Sequence, residues 1–279
     1  MNKRISFFLF LCITTVSVVA QMPENTGFLP FQEKKIPEPF LFSMTTLTPG
    51  DMPWSLNYSG SYGKDVAESF GYNGVGHQIE VNGYAGNRFT FYARAAFGFP
   101  EEGNSMNTAQ QVEVIRDFIG GKKKQGFRLG AGLGAGKDFG NAFSLLSRVT
   151  ASLETLRWVA AGNMFFEKTF AHNRDKIDVI TSVGIQYRFS DSFCAGIESV
   201  AQDIEGLWEE DEAEGGAKIL AGPTVNFVPG KSRFSFSMSG GPVMYVTRSE
   251  VTNPNALREL PDKNGLMLRA RIIYNLSGI

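Results

Sequence analysis

Residues 89–99, FTFYARAAFGF, set an apolar side chain at every second position: Phe89, Phe91, Ala93, Ala95, Phe97 and Phe99. Between them stand Thr90, Tyr92, Arg94, Ala96 and Gly98. Side chains alternate faces along a strand with a period of two, so the stretch predicts a strand with one apolar and one small or polar face. The pattern recurs at Ile177, Val179, Thr181, Val183, Ile185, Tyr187 and Phe189, with Asp178, Ser182, Gly184, Gln186 and Arg188 opposite. It recurs at Leu266, Leu268, Ala270, Ile272, Tyr274 and Leu276 against Arg269, Arg271, Asn275 and Ser277. At 127–137, Phe127, Leu129, Ala131, Leu133 and Ala135 face away from Arg128, Gly130, Gly132, Gly134 and Gly136.

From Trp54 onward the alternation predicts about twelve strands, near 54–63, 75–85, 89–99, 108–119, 125–137, 142–153, 156–168, 177–189, 193–205, 216–228, 233–247 and 265–277. Two of them are less regular. Val112, Ile115 and Phe118/Ile119 also fit a helical stripe, and 193–205 alternates too poorly to orient Cys194.

Strands joined by a tight hairpin must keep their apolar residues on one face, which fixes the parity of the loop. Ala85 and Phe89 satisfy this across Gly86-Asn87-Arg88, and Phe189 and Phe193 across Ser190-Asp191-Ser192. Phe227 and Phe234 take the even loop Pro229-Gly230-Lys231-Ser232. Leu153 and Trp158 take an even loop around Thr155-Leu156, with Glu154 and Arg157 opposite each other. Connections after even-numbered strands come out at roughly two to five residues and those after odd-numbered strands at roughly eight to seventeen, the fifth (about five) excepted. Short turns at one end and long loops at the other are the layout of an outer-membrane barrel with an even strand count.

The apolar face meets either lipid or a soluble core. The predicted strands run longer than the ~5–6 residues of globular proteins and match the ~9–11 of a membrane-crossing strand. The opposite face carries glycines and charges of both signs: Glu80, Arg94, Arg128, Arg148, Glu167, Asp178, Arg188, Glu198, Arg269 and Arg271. About twelve strands close on a wider lumen than the ~8 that side chains fill, so these ten are the lumen-lining candidates. The expected fold is an all-β, transmembrane, antiparallel up-and-down barrel of about twelve strands. A secreted soluble β-sandwich or lipocalin-like barrel is the alternative.

The segment before Trp54 changes this picture in two ways. MNKRISFFLFLCITTVSVVA has a basic start at Lys3 and Arg4, an apolar run over 5–11, and Val18 and Ala20 before Gln21, the layout of a signal peptide cleaved after residue 20. Leu11 before Cys12 does not suit a lipoprotein site, and removal of 1–20 leaves Cys194 as the one cysteine, without an internal disulfide. Residues 21–53 then hold Pro23, Pro30, Pro37, Pro39, Pro49 and Pro53, a density that forbids long regular elements. This leader's Phe28-Leu29-Pro30-Phe31 and Phe40-Leu41-Phe42 clusters are expected to dock, with packing on a barrel end favoured over a plug.

Composition adds mainly exclusions. A formal net charge of -1 gives no reason to expect nucleic acid as a partner. Two histidines and two cysteines are poor material for a metal site or a histidine-based catalytic centre, so no cofactor, metal or enzymatic activity is expected. His77 shares the parity of Val75, Ile79 and Val81, as a lipid-boundary residue would, and His172 falls in the loop FAHNRD. Neither is followed two residues later by a serine, as in an outer-membrane phospholipase. The acidic run 209–214 lacks calcium-loop spacing and reads as a solvated outer loop, and Lys122-Lys123-Lys124 as a solubilising turn. The inward arginines could attract carboxylates or pair with glutamates to brace the wall; bracing is favoured.

The segment Gly215-Gly216-Ala217-Lys218-Ile219-Leu220-Ala221-Gly222-Pro223-Thr224-Val225 and the final strand Leu266–Leu276 resemble a family of outer-membrane barrels. These are proteins of the MetA-pathway-of-phenol-degradation-like, or transporter, type, and the likeness spans 54–279. It implies a barrel of loosely defined transport function and brings no site residues. The expectation is passive passage of a small solute, through a protein in contact with outer-membrane lipid and lipopolysaccharide. A structural or interaction barrel with an occluded lumen is the second reading.

Overall fold

Each predicted strand forms. The computed structural model describes residues 38–48, 54–101, 105–120, 125–171, 177–204, 217–230, 232–246 and 263–276. Twelve strands run in chain order: β1 (Trp54–Lys64), β2 (Gly74–Gly86), β3 (Phe89–Phe99), β4 (Asn107–Ile119), β5 (Gly126–Lys137) and β6 (Phe143–Glu154). They continue as β7 (Trp158–Phe170), β8 (Asp178–Ser190), β9 (Phe193–Gln202), β10 (Lys218–Phe227), β11 (Phe234–Tyr245) and β12 (Gly265–Asn275). Every neighbour pair is antiparallel, and β1 closes on β12 from Ser55↔Asn275 to Lys64↔Leu266, so the sheet is a closed up-and-down barrel. The ambiguous stretch at 108–119 is strand, with Val112 and Val114 outward and Ile115 buried inward. Cys194 points inward and is buried against Val228.

Connections after even-numbered strands hold two to six residues and those after odd-numbered strands five to nineteen. The two turns expected to hold three residues hold two. Asn87 and Arg88 form a two-residue turn with φ of 48° and 67°, and the register shifts between Tyr84 and Gly86. The bulged residue, Ala85, takes up the third loop position and preserves facing, because a bulge inserts one residue on one strand only. The β8–β9 hairpin does the same, with Asp191-Ser192 as the turn and a shift between Arg188 and Ser190. After β6 the register sets Val159, not Arg157, opposite Glu154.

The two faces of the wall are chemically separate. Leu133 is 74% exposed, Ile197 60% and Val183 58%, and they belong to a continuous outward apolar belt. A belt of that kind is unsuited to water and suited to lipid. Aromatic contacts rim it at both ends. At the short-turn end Trp158 packs on Tyr187, Tyr187 on Phe189, and Phe234 on Tyr274. At the long-loop end Phe143 stacks on Phe170, and His77 packs between Tyr58 and Phe99. The β10–β11 pairing omits Ala221–Pro223 and Gly240–Pro242, where each proline lacks a donor, yet the register is the same on both sides of the gap.

Two fillings occupy the interior. Residues 38–48, which the sequence favoured as packing on a barrel end, instead cross the lumen as an irregular strap. Toward the long loops, the β1–β2 connection folds inward and buries Val66, Ala67 and Phe70 against Leu146, Phe165, Ile180, Val200, Leu220, Val243 and Met267.

Candidate functional site

The strap EPFLFSMTTLT has no regular structure, so its own backbone leaves its N–H and C=O groups without partners. The inward side chains of the wall supply them. Arg271 holds the start of the strap, bonding the Glu38 carboxylate at 2.8 Å and the carbonyls of Glu38 and Phe40 at 2.6 and 2.9 Å. The amides of Gln186 and Asn226 both donate to the Pro39 carbonyl at 2.6 Å. Glu198 then accepts three successive backbone N–H groups, from Leu41, Phe42 and Ser43, at 3.1, 2.6 and 2.8 Å. Consecutive amides turned toward one point form a concavity suited to an anion, here a carboxylate of the wall.

Asn163 pairs with Met44 in both directions at 2.8 Å, its Oδ1 accepting and its Nδ2 donating. Arg128 donates to the Thr46 carbonyl at 2.8 Å, Thr46 donates to Asp117 at 2.6 Å, and the Leu47 N–H reaches Thr90 at 2.9 Å. Apolar anchoring is local. Phe40 is buried with Val159 and Ala161, and a Cβ on Gly184 would lie 2.4 Å from its ring. Only glycine leaves room for that ring against β8.

All ten sequence-selected residues lie on the inner face, in different settings. Arg128, Glu198, Arg269 and Arg271 bind the strap directly. Arg148 makes a bidentate pair with Glu113 at 2.6 and 3.2 Å and also donates to Asn163 at 3.0 Å, so it steadies a residue that holds the strap. Arg188 bonds Glu154 at 3.3 Å and the Leu156 carbonyl at 2.7 Å, while Glu154 also faces Arg128 at 3.6 Å. These pairs brace the wall. Glu80 accepts from Asn57 at 3.0 Å, and Asp178 is buried inward.

Arg94, Glu167 and Arg269 border a cavity of about 240 Å³ between Phe40–Met44 of the strap and the β1–β2 loop. Arg269 donates to the carbonyls of Leu41 and Phe70 at 3.1 and 2.9 Å, with its guanidinium 4.6 Å from the centre of the Phe42 ring. It therefore joins the strap to the loop above. His77 projects outward with its Nδ1 2.7 Å from Tyr58 Oη. Among the described residues no group of three or more His, Cys, Asp or Glu could hold a metal. His172, the acidic run 209–214, Lys122–Lys124 and the cleavage region lie outside the described residues.

Sequence reasoning missed two sets of residues. The neutral partners Asn57, Thr90, Asn163, Gln186 and Asn226 stand on the inward parity but lack charge to single them out. The interior apolar residues Leu146, Phe165 and Ile180 did leave a signal: Leu145-Leu146, Phe165-Phe166 and Val179-Ile180 each break the alternation.

No protein-family model matches the sequence, and no match is found among curated proteins. Solved structures share its fold. The NanC porin superposes with a TM-score of 0.55 at 11% identity, covering 79% of this chain and 100% of that one. The KdgM porin, in complex with disordered oligogalacturonate, gives 0.52 at 11% identity over 79% and 98%. The COG4313 outer membrane channel from Pseudomonas putida F1 gives 0.52 at 11% identity over 82% and 99%. The chain has the fold of outer-membrane barrel channels.

Proposed function

We propose that this protein is an outer-membrane channel for a small solute, held closed by its own strap. The observation that carries the reading is the construction of the interior. A twelve-strand wall encloses a lumen that wall side chains do not fill, and residues 38–48 occupy it through side-chain hydrogen bonds and ion pairs. The segment contributes no strand to the barrel, so it can leave without breaking a ladder. The shared fold of NanC, KdgM and the Pseudomonas putida channel supports the same reading, as does the resemblance of Lys218–Val225 and the last strand to transporter-type barrels. The outward apolar belt and its aromatic rims fit residence in the outer membrane, against lipid and lipopolysaccharide.

A specific observation favours the second reading, a barrel kept permanently occluded. Val66, Ala67 and Phe70 close the long-loop side with an apolar cluster whose side chains carry no polar group to exchange with a solute. Planar-bilayer recordings separate the two. The full chain is expected to be nearly silent, and a chain lacking residues 21–50 is expected to give discrete open steps. Silence from both would sink the channel reading.

A further inference from the structure

The cavity bordered by Arg94 and Arg269 is asymmetric. Leu146, Phe165, Ile180 and Val200, from β6 to β9, present hydrocarbon on one side. Ala96 and Ala109, on β3 and β4, are short enough to leave the other side open. Its volume is about 240 Å³, whereas an apolar cavity of about 150 Å³ accommodates benzene. One ring with a carboxylate fits.

The four cavity arginines are not equivalent. Arg148 is paired with Glu113 and Arg271 with Glu38, and of these two only Arg271 has its Nε left without an acceptor. Arg94 and Arg269 form no salt bridge among the described residues, with Glu38, Glu80 and Glu167 lining the same cavity at longer range. The hydrogen bonds of Arg269 end on two carbonyls, and the contact of Arg94 is with Met44 Sδ at 3.8 Å. Its Nε is buried without any acceptor. Glu80 stands directly across the β2–β3 ladder from Arg94, yet its carboxylate accepts from Asn57 and Gln78. A buried guanidinium nitrogen without an acceptor is costly, and the planar fork matches a carboxylate in two parallel bonds.

We infer that this cavity binds a small organic anion with a single apolar ring, its carboxylate on Arg94 and its ring against Leu146, Phe165, Ile180 and Val200. The inference rests on the channel reading, because it gives the solute's chemistry. On the side formed by Leu146, Phe165, Ile180 and Val200 the ring hydroxyls of an acidic sugar would face hydrocarbon, whereas Ser59, Ser61, Gln78 and Gln111 make the opposite side polar. The guanidinium selects against the neutral analogue of the same shape.

The test is a ¹⁹F NMR titration of the full chain, refolded in detergent, with 4-fluorobenzoate. Saturable binding is expected, at least about tenfold weaker in Arg94→Gln, since hydrogen bonds to charged groups contribute more than neutral ones. Ala96→Leu fills the cavity without touching a charge and should remove binding while the barrel still forms. Should Arg94→Gln fail to fold, Arg94→Lys keeps the charge but loses the fork, and weaker binding is again expected. 4-Fluorobenzyl alcohol should bind at least about tenfold more weakly, and galacturonate should not compete. Absence of saturable binding, indifference to Ala96→Leu, or competition by galacturonate overturns the inference. Because binding is read in the closed protein, its failure is distinct from failure of the channel reading, which is decided by current after strap deletion.

Discussion

On β3, Phe91 and Arg94 meet opposite surroundings, although only two residues separate them. Phe91 faces out, against Trp54 in the rim at the short-turn end, and Arg94 faces the cavity. A cation on the lipid face near the midplane costs roughly 2–4 kcal/mol and less toward the rim. Phe91→Arg should therefore reduce insertion into lipid vesicles, scored by heat-modifiable migration, while Arg94→Ala inserts as the parent does. Equal effects would overturn the assigned facing. Glu198 invites a second substitution. Glu198→Gln leaves only one oxygen and no charge for three strap N–H groups, and each charged hydrogen bond is worth about 1.5–3 kcal/mol. The strap should loosen, seen as faster proteolysis within 38–48 with the barrel intact. Gly184→Val should act likewise through bulk, by displacing the Phe40 ring.

Among the elements, the strap is held mainly by polar side chains and the β1–β2 loop by an apolar cluster, with added hydrogen bonds from Arg269 to the Phe70 carbonyl and from Ser69 to Gln202. Hydrogen bonds to a wall exchange for water at small net cost, whereas an apolar cluster resists hydration. Ser43 and Ser182 offer a direct test, with their hydroxyl oxygens 3.0 Å apart. The double variant Ser43→Cys/Ser182→Cys should form a disulfide that fixes the strap to β8. Conductance should then be lower under oxidising than under reducing conditions. Current that ignores the redox state would show that passage does not require the strap to move.

For the whole molecule, the strap couples the lumen to pH. Burial pushes the Glu38 carboxyl up to about 7; the charge of Arg271 opposes this and that of Glu80 reinforces it. Tyr92 and Arg94 also face it and favour the ionised form. A carboxyl raised on docking favours the docked state fully below its ordinary value near 4.5, and that contribution is lost as pH rises through about 7. Open-channel probability should therefore rise between about pH 4.5 and pH 7, and Glu38→Gln should flatten the change. A profile identical in the two proteins would assign any pH response to another group.

How much of this was legible beforehand follows from the period of the strand. A side chain's face depends only on position along its own strand. Phe91, Arg94, Val183 and Arg271 could therefore be assigned to faces from sequence, and loop lengths supplied the closed, even-stranded wall. Even the two-residue turns at Asn87 and Asp191 kept the expected facing, because each is offset by one bulged residue. What a side chain meets across the lumen depends on eleven other strands and on the path of the strap, and no local pattern encodes that. Arg128 and Arg94 look alike in sequence; one grips the Thr46 carbonyl, and the other forms no salt bridge among the described residues. The strap's prolines excluded regular structure without saying where the segment lies. Only the closed barrel, with Glu198 and Arg271 brought to the same segment from different strands, placed it inside.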